Sequence, residues 1–168
     1  MPARPKKSKI TRSAAVDETP DRTAAPAGLD LGALGQSVGY LIRRAQLAVF
    51  DDFIRAFAAI GLRPAQFSVL VIVDANPGLK QSEIAAALGI QRTNFVAMMD
   101  ELEQRGLAVR TPSKSDRRSY AVELTHDGRA LLKEALALHA AHESRMIDRF
   151  GRDSHADMIR MLSQLAQD

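Results

Sequence analysis

The sequence predicts a mainly α-helical chain with a small β-hairpin wing, and three observations carry this prediction. Two short helical patterns, Gln81 to Leu88 and Gln91 to Arg105, are separated by a break at Gly89. The hydrophobic period then changes to 2 on either side of the polar turn Pro112 to Ser119, which is typical of a hairpin. Long apolar helical patterns flank this stretch on both sides. The predicted fold class is therefore a winged helix-turn-helix lobe plus a helical dimerisation region.

The composition is that of one compact globular domain. The 168 residues are 46% hydrophobic and 26% charged, and they contain no run of 18 apolar residues that would predict a membrane span. Cysteine is absent, which excludes disulfides, thiolate metal sites and cysteine nucleophiles. The formal charge of +3 favours an anionic partner only mildly. The first residues lack the apolar run of a secretory signal, so a cytoplasmic location is expected.

Residues 1–30 are expected to form a disordered basic tail. They are rich in Pro, Ala, Ser and Thr and lack aromatic residues. The basic residues that precede the first acid are Arg4, Lys6, Lys7, Lys9 and Arg12. Two interpretations stay open, a solubilising tail and an arm that adds non-specific phosphate contacts.

The first two helical patterns precede the central pair. Apolar residues between positions 38 and 57 cover more than one stripe of a predicted helix over 31–60, so this helix needs two packing partners. One partner is its own domain, and the other is most simply a second copy of the chain. Gly61 ends the pattern, and Pro64 opens the next helix, which runs through Asp74.

The second helix of the central pair has two chemically different faces. Its apolar stripe consists of Phe95, Met98, Met99 and Leu102. Its outward face consists of Arg92, Thr93, Asn94, Ala97 and Gln104. Small polar side chains fit the major groove of DNA, where Asn pairs with adenine, Arg with guanine, and a methyl group touches thymine. The simpler alternative is an exposed helix start without a partner.

The predicted hairpin has alternating strands and a positively charged turn. The alternating positions are Leu107, Val109, Thr111, Tyr120, Val122 and Leu124. The turn sets Lys114, Arg117 and Arg118 against a single acid, Asp116. A positive loop of this kind suits a phosphate backbone or a narrow minor groove.

Two helices are predicted after the hairpin. Thr125 is expected to cap a long helix that runs through about Phe150, and Gly151 breaks it. Ser154 with Asp157 forms a capping-box-like start for the last helix. The last helix carries a broad apolar face, made of Met158, Ile159, Met161, Leu162 and Leu165. Few core residues remain to cover this face, so burial between two chains is expected.

Four segments resemble the winged-helix core of the multiple-antibiotic-resistance-regulator (MarR) family. They are the Leu88-Gly89 break, D-x-L-E-x-R-G-L at Asp100 to Leu107, D-R-R at Asp116 to Arg118, and L-T-x-x-G-R at Leu124 to Arg129. The resemblance covers about Leu34 to Gln167. It implies a homodimeric, sequence-specific regulator of transcription, a repressor released from a palindromic operator by a small molecule. The winged helix would span residues 64–124, with dimerisation helices over 31–60 and 125–168.

The resemblance also assigns DNA contacts. In the second helix of the pair they fall on Arg92, Thr93, Asn94 and Ala97, and in the wing on Lys114, Asp116, Arg117 and Arg118. Family members insert the arginine matching Arg118 into the minor groove and orient it with the acid matching Asp116, and Arg117 is the rival for that role. Asp116 capping the turn is an equal alternative. Val96 and Ala97 depart from the family, where a hydroxyl residue and an arginine are frequent.

Family effectors are mostly aromatic acids, phenols or lipophilic drugs, bound where the first, second and fifth helices meet the winged lobe. Here that region is expected to be lined by Tyr40, Arg43, Arg44, Phe50, Phe67 and Leu70. Paired arginines beside aromatic walls fit an anionic aromatic ligand, an aromatic acid or its coenzyme A thioester. Alternatively, Arg43 and Arg44 pair with Asp51, Asp52 or the partner subunit.

Helix starts and other functions complete the expectations. Arg63, Lys80 and Gln91 stand where relatives often place Ser, Thr or Asp caps, which predicts weakly capped starts. No catalytic constellation or cofactor motif is present, so an enzyme is not expected. His139 and His142 are weak candidates for a metal site in a metal-responsive regulator. Two further alternatives are a winged helix used only for protein contact and an architectural, sequence-independent DNA binder.

Overall fold

The computed structural model describes residues 28–112 and 120–167. They form a mainly α-helical chain with one antiparallel hairpin, which confirms the predicted fold class. The elements are α1 Val38–Ala56, α2 Pro64–Ala75, α3 Gln81–Ala87, α4 Arg92–Gln104, β1 Ala108–Pro112, β2 Tyr120–Leu124, α5 His126–Phe150 and α6 Arg152–Leu165. Short 3-10 turns at Gly32–Gln36 and Ala58–Ile60 flank α1. No helix within the described ranges is long and apolar enough to cross a membrane.

The hydrophobic core lies in the winged lobe, between α2, α3, α4, the base of the hairpin and the facing sides of α1 and α5. Its fully buried side chains include Phe57, Leu70, Ile84, Phe95, Met99, Leu102 and Val122. The rings of Phe53 in α1 and of Phe57, directly after α1, stack with centroids 3.7 Å apart, and Phe67 of α2 meets Phe57 at 5.4 Å. These aromatic contacts attach the C-terminal half of α1 to the lobe.

The hairpin pairs Ala108 with Leu124 and Pro112 with Tyr120. The predicted period was correct, but its phase was wrong on β1. Leu107 still belongs to the turn that closes α4, because its N–H donates to the Leu102 carbonyl oxygen at 2.9 Å. The strand begins one residue later, and a shift of one residue sends each side chain to the opposite face. Val109, one of the predicted alternating positions, is therefore 41% exposed. Tyr120 keeps the phase of the buried Val122 and Leu124, but it lies at the outer end of β2 and is 53% exposed.

The terminal helices differ from the prediction at their ends. α1 is shorter than the predicted 31–60 and contains only Val38–Ala56. α6 begins at Arg152, so Ser154 and Asp157 lie inside the helix and do not form its N-terminal cap. The reason is Gly151, whose φ of 81° redirects the chain and lets the next helix start at once.

Three helix starts were predicted to be weakly capped, and two of them are stabilised by the side chain at the third helical position. The Gln66 side-chain oxygen accepts from the Arg63 N–H at 3.1 Å, and that of Glu83 accepts from the Lys80 N–H at 2.7 Å. Each contact is the reciprocal half of a capping box, and it satisfies a backbone donor that an Arg or Lys side chain cannot. The starts of α2 and α3 are therefore anchored, contrary to the expectation.

The start of α5 is seated directly on the lobe. As predicted, the Thr125 hydroxyl caps the helix by accepting from the Gly128 N–H at 2.9 Å. The same hydroxyl donates to the Gly106 carbonyl oxygen at 2.6 Å. At Gly128 an added Cβ would lie 1.9 Å from the Leu107 carbonyl oxygen. Only glycine permits this close approach of α5 to the turn that closes α4.

The terminal helices leave large apolar side chains exposed in the single chain. On α6 these are Ile159, Met161, Leu162 and Leu165, and on α1 they include Val38, Leu41 and Ile42. Val38 and Ile42 face Met158, Met161, Leu162 and Leu165 across an apolar groove of about 420 Å³. This groove continues the apolar surface of both helices.

Candidate nucleic-acid interface and effector site

Helix α4 presents the predicted polar face to solvent. Arg92, Thr93, Asn94 and Ala97 are all exposed, whereas the opposite stripe of α4 is buried in the core. Its start also borders a small cavity of about 200 Å³, lined by Lys80, Gln81, Ser82, Arg92, Phe95, Val96 and Tyr120. Basic and polar groups therefore surround the end of α4 that faces the wing.

Arg110 of β1 contacts α4 on the side away from its exposed polar face. Its guanidinium pairs with the Glu103 carboxylate and with Asp100 Oδ1, the latter at 2.8 Å. The guanidinium also donates to Gln81 Oε1 at 3.2 Å and to the Val96 carbonyl oxygen at 3.3 Å. One side chain thus ties β1 to α3 and to three positions along α4. The orientation of the exposed α4 face is fixed by these bonds.

The C-terminal half of α4 is also tied to the segment before α2. Arg105 donates to the carbonyl oxygens of Gly61 and Ile60 at 2.8 and 3.0 Å. Glu101 pairs with the Arg63 guanidinium, and its Oε2 accepts from the Gln66 amide at 2.8 Å. Gln66 is only 2% exposed, so Glu101 is held by a fixed donor.

Sequence reasoning missed Gln66, Glu101, Arg105 and Arg110. One signal was available, since a Gln three residues after a helix start is the second half of a capping box. The second available signal was Arg110, an arginine that alternates with apolar residues in a strand. A charged side chain on the inner face of a strand requires a partner.

The wing residues Lys114, Asp116, Arg117 and Arg118 lie outside the described residues, as does the tail over 1–27. Their predicted roles therefore stay predictions. The strands that lead to the wing tip are placed, and β1 carries the same Arg110 that contacts α4.

The six predicted effector residues differ in their exposure. Phe67 and Leu70 are buried in the core, and Tyr40 and Arg44 are half-buried. Phe50 is 44% exposed and lines a groove of about 430 Å³. The other residues that line this groove are Ile54, Arg63, Pro64, Ala65, Gln66, Asn94, Ala97, Met98 and Glu101. The groove therefore joins α1 to the exposed face of α4.

The two acids proposed as partners of Arg43 and Arg44 have other partners. Asp51 Oδ2 pairs with Arg55 Nη1 at 2.5 Å, one turn along α1. Asp52 pairs with Arg145 of α5 at 2.8 Å. Arg43 is exposed, and its guanidinium donates to Gln46 at 3.4 Å.

A polar cluster joins α1 to α5. His142 is 2% exposed, and its Nδ1 lies 2.6 Å from Asp52 Oδ2, which also accepts from Arg145. The hydrogen bond from Arg145 is the main cause that lowers the pKa of Asp52, with the His142 contact adding to it against the opposing effect of burial. His139 stacks on Phe67 and does not join a metal-binding set. Among the described residues no group of three or more His, Cys, Asp or Glu could hold a metal ion.

The described elements define a winged helix-turn-helix regulator. They are a three-helix lobe with an antiparallel hairpin, flanking helices with exposed apolar side chains, and an exposed polar face on α4. The sequence pattern of the MarR family matches residues 60–119. The chain is 52% identical to the transcriptional repressor CouR in a structure bound to a 23-mer DNA duplex, with a TM-score of 0.79, covering 83% of this chain and 99% of CouR. A structure of CouR bound to p-coumaroyl-CoA gives 48% identity, the same coverage and a TM-score of 0.79.

Two further relatives are regulators. A putative transcriptional regulatory protein for the hcr operon of Thauera aromatica is 36% identical over 109 residues, 61% of this chain and 66% of that protein. The HTH-type transcriptional repressor Mb2911 of Mycobacterium bovis is 30% identical over 131 residues, 78% of this chain and 94% of that protein. The chain belongs to the MarR family, as its motifs indicated.

Proposed function

We propose that the chain is a homodimeric, sequence-specific DNA-binding repressor that releases a palindromic operator when it binds an arylacyl coenzyme A thioester. The observation that carries the proposal is the exposed face of α4, with Arg92, Thr93, Asn94 and Ala97. These side chains can read base edges in a major groove. The bonds from Arg110 and Arg105 keep the helix at a constant angle, which direct readout requires.

The dimer is supported by the apolar groove between α1 and α6. Several of its large side chains are about half exposed in the single chain, and a stable monomer rarely exposes a contiguous patch of this kind. A two-fold dimer would place two copies of α4 on successive turns of one DNA face. Half-sites about 34 to 36 Å apart would then match the two-fold symmetry of the protein.

The ligand class is supported by the relative CouR, a structure of which has p-coumaroyl-CoA bound. The predicted anionic partner of Arg43 would then be a phosphate of the coenzyme A portion. A ligand shifts the protein away from DNA only by its difference in affinity for the two states. Ligand contacts that form only in the state that cannot bind DNA would supply that difference in affinity.

The first test is DNA binding by fluorescence anisotropy, with a duplex selected from a random pool and a scrambled duplex of equal length. We expect the selected duplex to bind at least about a thousandfold more tightly. Arg92→Ala and Asn94→Ala should each cost about 1 to 3 kcal/mol on the selected duplex. Lys133→Ala, an exposed charge on α5, is the matched control. Equal affinity for both duplexes would leave an architectural binder, and no binding would leave a protein-contact module.

The wing is tested in the same assay. Arg118→Ala should cost about 1 to 3 kcal/mol of DNA affinity without loss of thermal stability, because a minor-groove arginine contributes charge and shape readout. Arg117→Ala is the paired variant. A larger loss with Arg117→Ala would assign the minor-groove role to that residue.

The ligand class is tested by adding p-coumaroyl-CoA, free p-coumarate, coenzyme A or zinc to the protein–DNA complex. The thioester should release DNA, and the free acid and coenzyme A should be weaker. Release by zinc alone would contradict the proposed ligand class and restore His139 and His142 as candidates.

A further inference from the structure

A small cavity lies between the starts of α3 and α4 and the outer end of β2. Its lining residues are Lys80, Gln81, Ser82, Arg92, Phe95, Val96 and Tyr120. Its volume of about 200 Å³ is below that of a typical organic-ligand site, which is about 300 to 1,000 Å³. A space of this size suits a single phosphate group better than an organic effector.

The lining supplies hydrogen-bond donors from three elements. The Tyr120 hydroxyl comes from β2, the Ser82 hydroxyl from α3 and the Arg92 guanidinium from α4. The Lys80 ammonium, directly before α3, adds a second positive charge. None of the described lining residues carries a carboxylate. Donors and positive charges without an acid among them favour a negatively charged oxygen acceptor.

The carboxylates closest in sequence to the cavity already have other partners. Glu83 accepts a backbone N–H at the start of α3, at 2.7 Å. Asp100 and Glu103 of α4 both pair with Arg110. Arg92 forms no ion pair with any residue that the structure describes. The acids of α4 therefore do not cancel the positive charge at the cavity.

The walls of the cavity are joined by backbone contacts. Lys80 forms a β-bridge with Ala121, and the Val122 N–H donates to the Leu79 carbonyl oxygen at 3.0 Å. Tyr120 directly precedes this extra pairing, so its backbone is fixed relative to the start of α3. A site whose walls are already in place loses little entropy when a ligand binds.

The cavity also lies beside the face of α4 that is proposed to read bases. Arg92 belongs to that face and borders the cavity, and Val96 lines the cavity one turn later. A helix inserted in a major groove lies between two phosphate backbones. One of these phosphates would therefore meet the Tyr120 and Ser82 hydroxyls when α4 contacts the bases.

We propose that this cavity binds one backbone phosphate of the operator, with the Tyr120 and Ser82 hydroxyls as hydrogen-bond donors and with Lys80 as a cation. The contact fixes the position of α4 along the duplex and reads no sequence itself. The inference rests on the proposed function. It adds three DNA contacts that lie neither on the exposed face of α4 nor in the wing tip.

The first test replaces single phosphates of the selected duplex by neutral methylphosphonates and measures affinity by fluorescence anisotropy. At one phosphate in each half-site the wild type should lose affinity about tenfold, because a charge-assisted hydrogen bond is lost. Tyr120→Phe should lose about threefold to tenfold on the unmodified duplex. At the sensitive position the methylphosphonate should then cost this variant much less than it costs the wild type, since both changes remove the same contact.

Two further variants accompany Tyr120→Phe. Thr111→Val removes a hydroxyl from the opposite face of the hairpin, because Thr111 pairs with Ala121 and Tyr120 pairs with Pro112. This matched control should respond to each methylphosphonate as the wild type does. Ser82→Ala, at an exposed position of α3, replaces Tyr120→Phe if that variant is unstable, and it should lose about threefold.

Salt dependence separates a phosphate contact from base readout. Lys80→Met should weaken binding to the selected and scrambled duplexes by the same factor and lower the salt slope of log K by about 1. Lys133→Met, on an exposed position of α5, should change neither quantity. Arg92→Ala should instead lose affinity mainly on the selected duplex, because a base contact carries specificity.

A free phosphate ion is the other source of the same chemistry. Inorganic phosphate is therefore added in place of chloride at constant ionic strength. If it displaces DNA from the wild type but not from Lys80→Met, and no methylphosphonate position matters, the cavity binds the free ion and the DNA contact is overturned.

Two failures are distinguishable. If the wild type binds neither the selected nor the scrambled duplex, the proposed function is wrong and the phosphate contact is lost with it. If the wild type binds the selected duplex, but every methylphosphonate costs the wild type, Tyr120→Phe and Lys80→Met equally, the phosphate contact alone is overturned.

Discussion

The winged lobe and the terminal helices use apolar side chains in opposite ways. In the lobe, Phe95, Met99 and Leu102 of α4 are at most 1% exposed. In α6 no residue is buried, although its apolar stripe is as regular as that of α4. The lobe is therefore complete within one chain, whereas α6 and the N-terminal half of α1 need another surface. Secondary structure forms equally well in both regions, and only tertiary burial separates them.

Polar contacts follow this division only in part. Charged groups of the lobe meet across different elements, as Arg110 does with α3 and α4. The terminal helices have local pairs, between Arg55 and Asp51 and between Arg160 and Asp157, beside the contact of Asp52 with Arg145 that joins α1 to α5. Local pairs stabilise a helix slightly but do not fix a tertiary arrangement.

The largest effect is expected from a substitution in the terminal helices, whose apolar surface is not covered within one chain. Leu162→Glu places a charge in the apolar groove between α1 and α6, and an unpaired charge buried in an interface costs about 3 to 5 kcal/mol. We expect the dimer to dissociate in sedimentation velocity at micromolar concentration. Ser163→Glu, one residue further and outside the groove, should remain a dimer. A stable Leu162→Glu dimer would place the interface elsewhere.

The next effect concerns the seat of α5 on the lobe. Gly128→Ala should lower the free energy of unfolding by about 2 to 4 kcal/mol, because the new methyl group meets the Leu107 carbonyl oxygen at 1.9 Å. In α1, Gly39→Ala meets no atom within 4 Å and should change stability by at most about 1 kcal/mol, toward greater stability. Urea denaturation monitored by circular dichroism gives both values. Equal effects would show that α5 can shift freely on the hairpin.

A smaller effect compares a shared arginine with a local one. Arg110→Ala leaves Asp100 and Glu103 without their common partner and should cost about 1 to 3 kcal/mol. It should also weaken specific DNA binding more than non-specific binding. Arg160→Ala breaks an exposed pair in α6 and should cost less than about 0.5 kcal/mol. Similar losses for the two variants would contradict the proposed difference between the regions.

The smallest effect is a pH dependence within the terminal helices. The pKa of Asp52 is lowered in the folded state, chiefly by Arg145, so its charged form stabilises the fold. This contribution is present above the unfolded pKa near 4 and is lost as the pH falls through the lower folded value. Between pH 5 and about 3, Asp52→Asn should lose less stability than the wild type. Asp153→Asn, an exposed acid of α6, is the control, and thermal denaturation across this range measures all three.

Periodicity predicted the elements and the two faces of α4 because both depend on residues close in sequence. It placed β1 out of phase, since the end of α4 depends on the bond from Leu107 to Leu102, not on hydrophobicity. It also missed Glu101 and Arg110, whose partners lie between 7 and 38 residues away in the chain. The sequence showed that α6 has an apolar face, but it did not show which surface packs against that face. Long-range polar contacts carry no local pattern, so they required the structure.

The contact between Gly128 and Leu107 has a mechanical consequence. Helix α5 is 25 residues long, or about 37 Å, and its first turn contacts the Leu107 backbone, directly before β1, without an intervening side chain. The helix and the base of the hairpin should therefore rotate together. A rotation of about 5° at this seat moves the far end of α5 by about 3 Å. We therefore expect small displacements near Phe150 to accompany small rotations of the base of the hairpin.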